Sequence, residues 1–106
     1  MTNIILLSFV FLFAMAATPQ NYKPDLSKTE DLKMLGTGRI IQKDNSIIKN
    51  IHLLEVNTYW IIYEKNSSSH DMMMDVISRI EFPESKWGAV KLEFPDNKPA
   101  LSQMFN

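Results

Sequence analysis

Residues 47–63 read Ile47-Ile48-Lys49-Asn50-Ile51-His52-Leu53-Leu54-Glu55-Val56-Asn57-Thr58-Tyr59-Trp60-Ile61-Ile62-Tyr63. The stretch is dense in Ile and Val and closes on Tyr and Trp. These are the side chains that pack well on a pleated, half-buried surface. Asn57-Thr58 turns the chain and divides the stretch into two strands. The first, 47–56, alternates imperfectly: Ile48, Leu54 and Val56 share a face with Asn50 and His52. A bulge near residues 50–53 repairs that register. The second, 59–63, is β-branched and aromatic throughout, which predicts burial on both faces.

Working outward, residues 38–43 make a preceding strand. Asp44-Asn45-Ser46 supplies a tight turn, because Asp and Asn tolerate left-handed backbone. Further upstream, Ser27-Lys28-Thr29-Glu30 fits a capping box, with Ser27 at N-cap and Glu30 at N3. Leu32 and Leu35 lie three apart, and Gly36 sits where a helix ends, so a two-turn helix over 28–35 is predicted. Downstream, 65–71 reads as a polar loop. Residues 72–77 read as a strand with Met72, Met74 and Val76 inward and Met73 and Asp75 outward. Arg79-Ile80-Glu81-Phe82 is a short strand, and 83–88 a loop carrying Trp87. Val90-Lys91-Leu92-Glu93-Phe94 alternates strictly, so it is a strand with one wet face. Residues 95–106 read as a loosely packed tail. The expected fold is all-β and small: a five- to six-stranded antiparallel sheet, curled into a partly open barrel and preceded by a short helix.

The run Arg39-Ile40-Ile41-Gln42-Lys43-Asp44-Asn45-Ser46-Ile47-Ile48-Lys49-Asn50, continued to Tyr63 and followed by Val76-Ile77-Ser78-Arg79-Ile80-Glu81, resembles small SH3-like or Sm-like barrels of secreted bacterial proteins. It covers residues 37–82, with Asn45 and Asn50 standing where those barrels have glycine. The resemblance implies an SH3-like barrel. Sm proteins bind RNA, but their nucleic-acid residues have no counterpart here, and a fold alone does not carry function.

Residues 4–17 read Ile-Ile-Leu-Leu-Ser-Phe-Val-Phe-Leu-Phe-Ala-Met-Ala-Ala. That is the length of a signal-peptide core and too short to span a hydrocarbon layer of ~30 Å. Small residues follow at Ala14, Ala16 and Ala17, then Thr18-Pro19. The n-region lacks Lys and Arg, and a retained anchor is the competing reading. The expected organisation is a signal-peptide helix over 1–17, a flexible lead-in over 18–27, a β domain over 28–94 and a tail over 95–106. Cleavage places the domain in the periplasm or outside the cell, with no transmembrane span left. There is no cysteine, so neither a disulfide framework nor a lipid-modified cysteine is available. The net charge of −1 argues against a nucleic-acid-binding face.

No catalytic constellation emerges. Ser67-Ser68-Ser69 beside His70-Asp71 has the atoms of a hydrolase site but no rigid support. Glu81 and Glu84 read as surface charges. The one cluster with metal chemistry is His70-Asp71-Met72-Met73-Met74-Asp75. Thioethers and imidazole suit Cu(I), which makes His70, Met72 and Met74 candidate ligands, with Trp60 or Trp87 beside them. Core packing is the favoured reading of those methionines, and no cofactor is expected. Tyr59 and Tyr63 share a strand face and, with Trp87, form the candidate interaction surface. The chain thus reads as an exported, non-catalytic module that binds a protein or envelope partner, with a periplasmic copper carrier as the alternative.

Overall fold

The computed structural model describes residues 24–104. The predicted signal peptide and most of the lead-in lie outside the described residues. The first element is a short helix, α1 (Thr29–Met34). Leu32 and the C-cap residue Leu35 are both buried in the core, while Met34 at the end of the helix is exposed. Gly36 follows at φ 74°, a left-handed position that releases the chain into the sheet. The capping box does not form. Lys28 is the N-cap and no side chain caps the helix. Ser27 instead donates from its backbone N–H and its hydroxyl to Asp25 Oδ1, at 2.9 and 2.6 Å. Asp25 in turn donates its N–H to Asp31 Oδ2. Asp25 competes for Ser27 because a local Asx turn is available one step earlier in the chain.

Seven strands follow: β1 (Thr37–Gln42), β2 (Ile47–Val56), β3 (Trp60–Lys65), β4 (Ser68–Met73), β5 (Ile77–Ser85), β6 (Gly88–Glu93) and β7 (Ala100–Gln103). They form one antiparallel sheet in the order β4-β3-β2-β1-β5-β6-β7. The protein is therefore a small all-β fold with one short helix. The sheet does not close, and β4 and β7 are its edges.

The bends are built by bulges. Gly38 pairs with Ile51 but Ile40 pairs with Ile48, so β2 carries an extra residue opposite Arg39. Asn50 takes the left-handed conformation there, at φ 58°. A second extra residue falls between Leu53 and Glu55. The predicted bulge in 50–53 is present, and the second one adds further twist. With both in place, Ile51 and Leu53 turn inward while Asn50, His52 and Leu54 turn out. Pro83 sits where β5 bulges against β6, one of the few strand positions that tolerate proline. The core gathers Ile40, Ile51, Leu53, Ile61, Tyr63, Met74, Ile77, Ile80, Phe82, Val90 and Leu92 under α1.

Several predicted elements differ. The polar loop 65–71 is a hairpin turn plus β4: Lys65 pairs with Ser68 around Asn66 and Ser67, both at positive φ. Two polar residues at positive φ make a hairpin as tight as Asn-Gly would. The strand predicted over 72–77 does not exist. β4 ends at Met73, and a 3-10 turn, Met74–Val76, leads into β5. Met74 still reaches the core, but Val76, predicted inward, is exposed. β5 runs on through Pro83 to Ser85, so the predicted loop shrinks to Lys86 and Trp87. Residues 100–103 are no loose tail: β7 pairs with β6, and Leu101 packs on the core. β3 is buried on one face only, through Ile61 and Tyr63.

Candidate functional site

The β3–β4 hairpin carries the residues singled out from the sequence. A tight turn precedes it, with the Asn57 N–H donating to the Trp60 carbonyl at 2.8 Å. The Tyr59 carbonyl accepts from the Met74 N–H at 2.9 Å, which ties the start of β3 to the 3-10 turn. This clamp leaves the Tyr59 side chain 60% exposed. Trp60 and Met73 are direct cross-strand partners and share the outer face of the sheet. They are 39% and 51% exposed. Trp60 and Met73 thus form an apolar pair beside an uncovered strand edge, with Tyr59 exposed at the adjoining turn.

Tyr63, by contrast, is buried in the core. Tyr59 and Tyr63 therefore do not build the shared exposed face that alternation predicts, because Tyr59 belongs to the turn and only Tyr63 to the strand. Trp87 lies on a different hairpin. It is half-buried, donates its N–H to Ser85 Oγ at 3.1 Å, and packs against the core. The three aromatics do not converge.

His70 lies opposite Tyr63 on β4, and the two rings stack with centroids 5.3 Å apart and planes at 26°. Met72 is its neighbour on the same face, opposite Ile61 and partly buried. Met74 has left the strand and is buried in the core. The copper geometry predicted from the sequence, with Met72 and Met74 two apart on one strand face, is absent. Among the described residues, no three His, Asp or Glu side chains are grouped to hold a metal ion. His70 and Asp71 project to opposite faces of β4, so the Ser-His-Asp atoms do not converge. A shallow cleft of about 440 Å³ runs along this edge, lined by Ile62, Tyr63, Ser69, His70 and Asp71.

Sequence reasoning missed one charged cluster. Glu81, read as a surface charge, is buried on the interior strand β5. Arg39 Nε donates to its Oε1 at 2.6 Å and Arg79 Nε to its Oε2 at 2.7 Å. The Arg79 hydrogen bond is the largest influence holding the carboxyl below the usual glutamate range. Burial opposes it, and Arg39 adds to the lowering. The spacing of Arg79 and Glu81 hinted at a shared face, but pairing Glu81 with Arg39 needs the β1–β5 register.

No helix among the described residues is long and apolar enough to cross a membrane. No family model, no curated protein and no solved structure matches the chain.

Proposed function

We propose that this chain is an exported small β domain that acts by binding a protein or envelope partner, with the outer face of the β3–β4 hairpin as the contact. The observation that carries this reading is the exposure of the cross-strand pair Trp60 and Met73 at a sheet edge, with Tyr59 exposed at the adjoining turn. Aromatic and methionine side chains are enriched at interfaces, where burying them is favourable. The apolar segment 4–17 supplies the export signal in this reading. The copper alternative retains only His70 and Met72 on one face, with Met74 committed to the core.

A photo-reactive residue placed at Trp60 in cells of the native host tests the contact, with Lys91 on β6 as the control position. One discrete adduct is expected from position 60 and none from 91, and excess unlabelled domain competes it away. Tyr59→Ser/Met73→Ser domain should not compete. Equal labelling from both positions overturns the reading. Export is tested by mass spectrometry of the same material: a new N-terminus between Ala16 and Thr18 is expected, and a chain still starting at Met1 in the membrane fraction refutes cleavage.

A further inference from the structure

We propose that the bulge where β1 meets β2 is a binding site for a small oxyanion, of which a phosphoryl group is the natural case. It is separate from the β3–β4 hairpin and independent of the partner proposed for that hairpin. The extra residue in β2 sets both Lys49 and Asn50 against Arg39. Asn50, at φ 58°, opens the strand there, and a pocket of about 210 Å³ lies over the bulge. Its lining is Thr37, Gly38, Arg39, Lys49, Asn50 and Pro83. Two of these side chains are cations and none is a carboxylate. Arg39, Lys49, the Thr37 hydroxyl and the Asn50 amide all donate hydrogen bonds.

The charges around the pocket do not balance. Like charges facing each other across strands are destabilising, and Arg39 faces Lys49. Glu81 is the carboxylate behind Arg39, but its second oxygen is taken by Arg79, so one negative charge serves two guanidinium groups. Lys49 makes no ion pair among the described residues. The Lys65 ammonium donates to the Lys49 carbonyl and adds a further cation to the same bulge. On that side the carboxylate nearest in register is Glu64, which lies opposite His52 rather than over the pocket. His52 itself touches the Thr37 hydroxyl at 3.2 Å.

An oxyanion meets this arrangement because it offers only acceptors and carries the missing charge. Arg39 engages Glu81 through Nε alone, and Arg39 has no other partner among the described residues. Its terminal nitrogens are thus available to a ligand, and Glu81 holds the guanidinium in place. Gly38 adds no side chain to the lining, because the place of its Cβ is taken by the Phe82 ring on the core side of β1.

The test is a titration of the domain with inorganic phosphate, followed by amide NMR shifts at constant ionic strength, with chloride as the reference. Saturable shifts confined to residues 37–39 and 49–50 are expected. Lys49→Gln, which removes an exposed and unpaired side chain and leaves folding intact, should weaken phosphate by about tenfold or more. Lys91→Gln, on β6 and paired with Glu93, should leave the affinity unchanged. Glycerol phosphate binding as well as phosphate assigns the site to a phosphorylated group on a larger molecule; binding of phosphate alone assigns it to the free ion. Shifts that fail to saturate, that chloride reproduces, or that Lys91→Gln reduces as much as Lys49→Gln overturn the proposal.

Discussion

Met73 and Met74 are neighbours in the chain with opposite fates. Met73 ends β4 on its outer face and is half exposed, while Met74 begins the 3-10 turn and is buried at 1% exposure. Met74→Ala should therefore leave a cavity and cost ~2–5 kcal/mol, whereas Met73→Ala should stay within ~0.5 kcal/mol. Urea unfolding of the two variants checks the contrast, and equal losses would contradict the burial. Gly38 is the other residue whose identity the packing dictates. A Cβ there would lie 2.6 Å from the Phe82 ring and 2.9 Å from the Glu81 carbonyl oxygen. Phe82 is fully buried and cannot swing away, so Gly38→Ala should cost ~1–3 kcal/mol by overpacking. Pairing it with Phe82→Leu should recover part of the loss in the same assay.

At the scale of elements, polar residues do the work that glycine often does in turns and bulges. Asn45, Asn50, Asn66 and Ser67 all take positive φ. Asn45 closes the β1–β2 hairpin, its N–H donating to the Gln42 carbonyl at 2.9 Å. Asp44 fastens the same turn through the Ser46 N–H and hydroxyl, and these hydrogen bonds lower its carboxyl below the usual range. Ser67, at φ 65°, bears the steric cost of left-handed backbone without a side-chain bond in compensation. Ser67→Gly should thus stabilise the β3–β4 hairpin by ~0.5–1 kcal/mol, read as a higher urea midpoint. The pairing of β1 with β5 is likewise fastened by Glu81. Because its carboxyl is held low in the folded protein, the unfolded chain binds that proton more tightly. The stabilisation is full above the ordinary glutamate pKa of about 4.3 and is lost as pH falls through the lower folded value. Wild type should exceed Glu81→Gln in stability at neutral pH and converge with it in acid. A gap that persists unchanged once acid has protonated the carboxyl in the folded protein would show that the carboxylate charge is not its source.

At the scale of the whole molecule, one core serves one open sheet. β7 covers β6 and contributes Leu101 to the core margin. Removing residues 99–106 should lower the unfolding midpoint and expose the β6 edge, which gel filtration would register as self-association at high concentration. Retention of full stability would mean that β7 is dispensable. The circular dichroism spectrum of the domain should be dominated by β structure, with helix confined to the single turn and a half of α1.

What the sequence by itself determined was local. The β-forming run 47–63, the hairpin at Asp44-Asn45-Ser46, the bulge near Asn50 and the Leu32/Leu35 helix all follow from side-chain shape, turn chemistry and period, and each is where composition places it. The candidate site was legible only in part. Met74 was identified as core from its apolar neighbours, yet its route inward is a 3-10 turn that alternation does not reveal. β4 hid because Ser68-Ser69-His70-Asp71 has no apolar face of its own; pairing with β3 supplies the hydrogen bonds that make it a strand. β7 hid for the same reason beside β6. The Trp60–Met73 patch, the buried Glu81 between two arginines, and the cationic pocket at the bulge are all products of register. Register joins residues far apart in the chain, and it is set by the burial of the whole core, which only the tertiary structure decides.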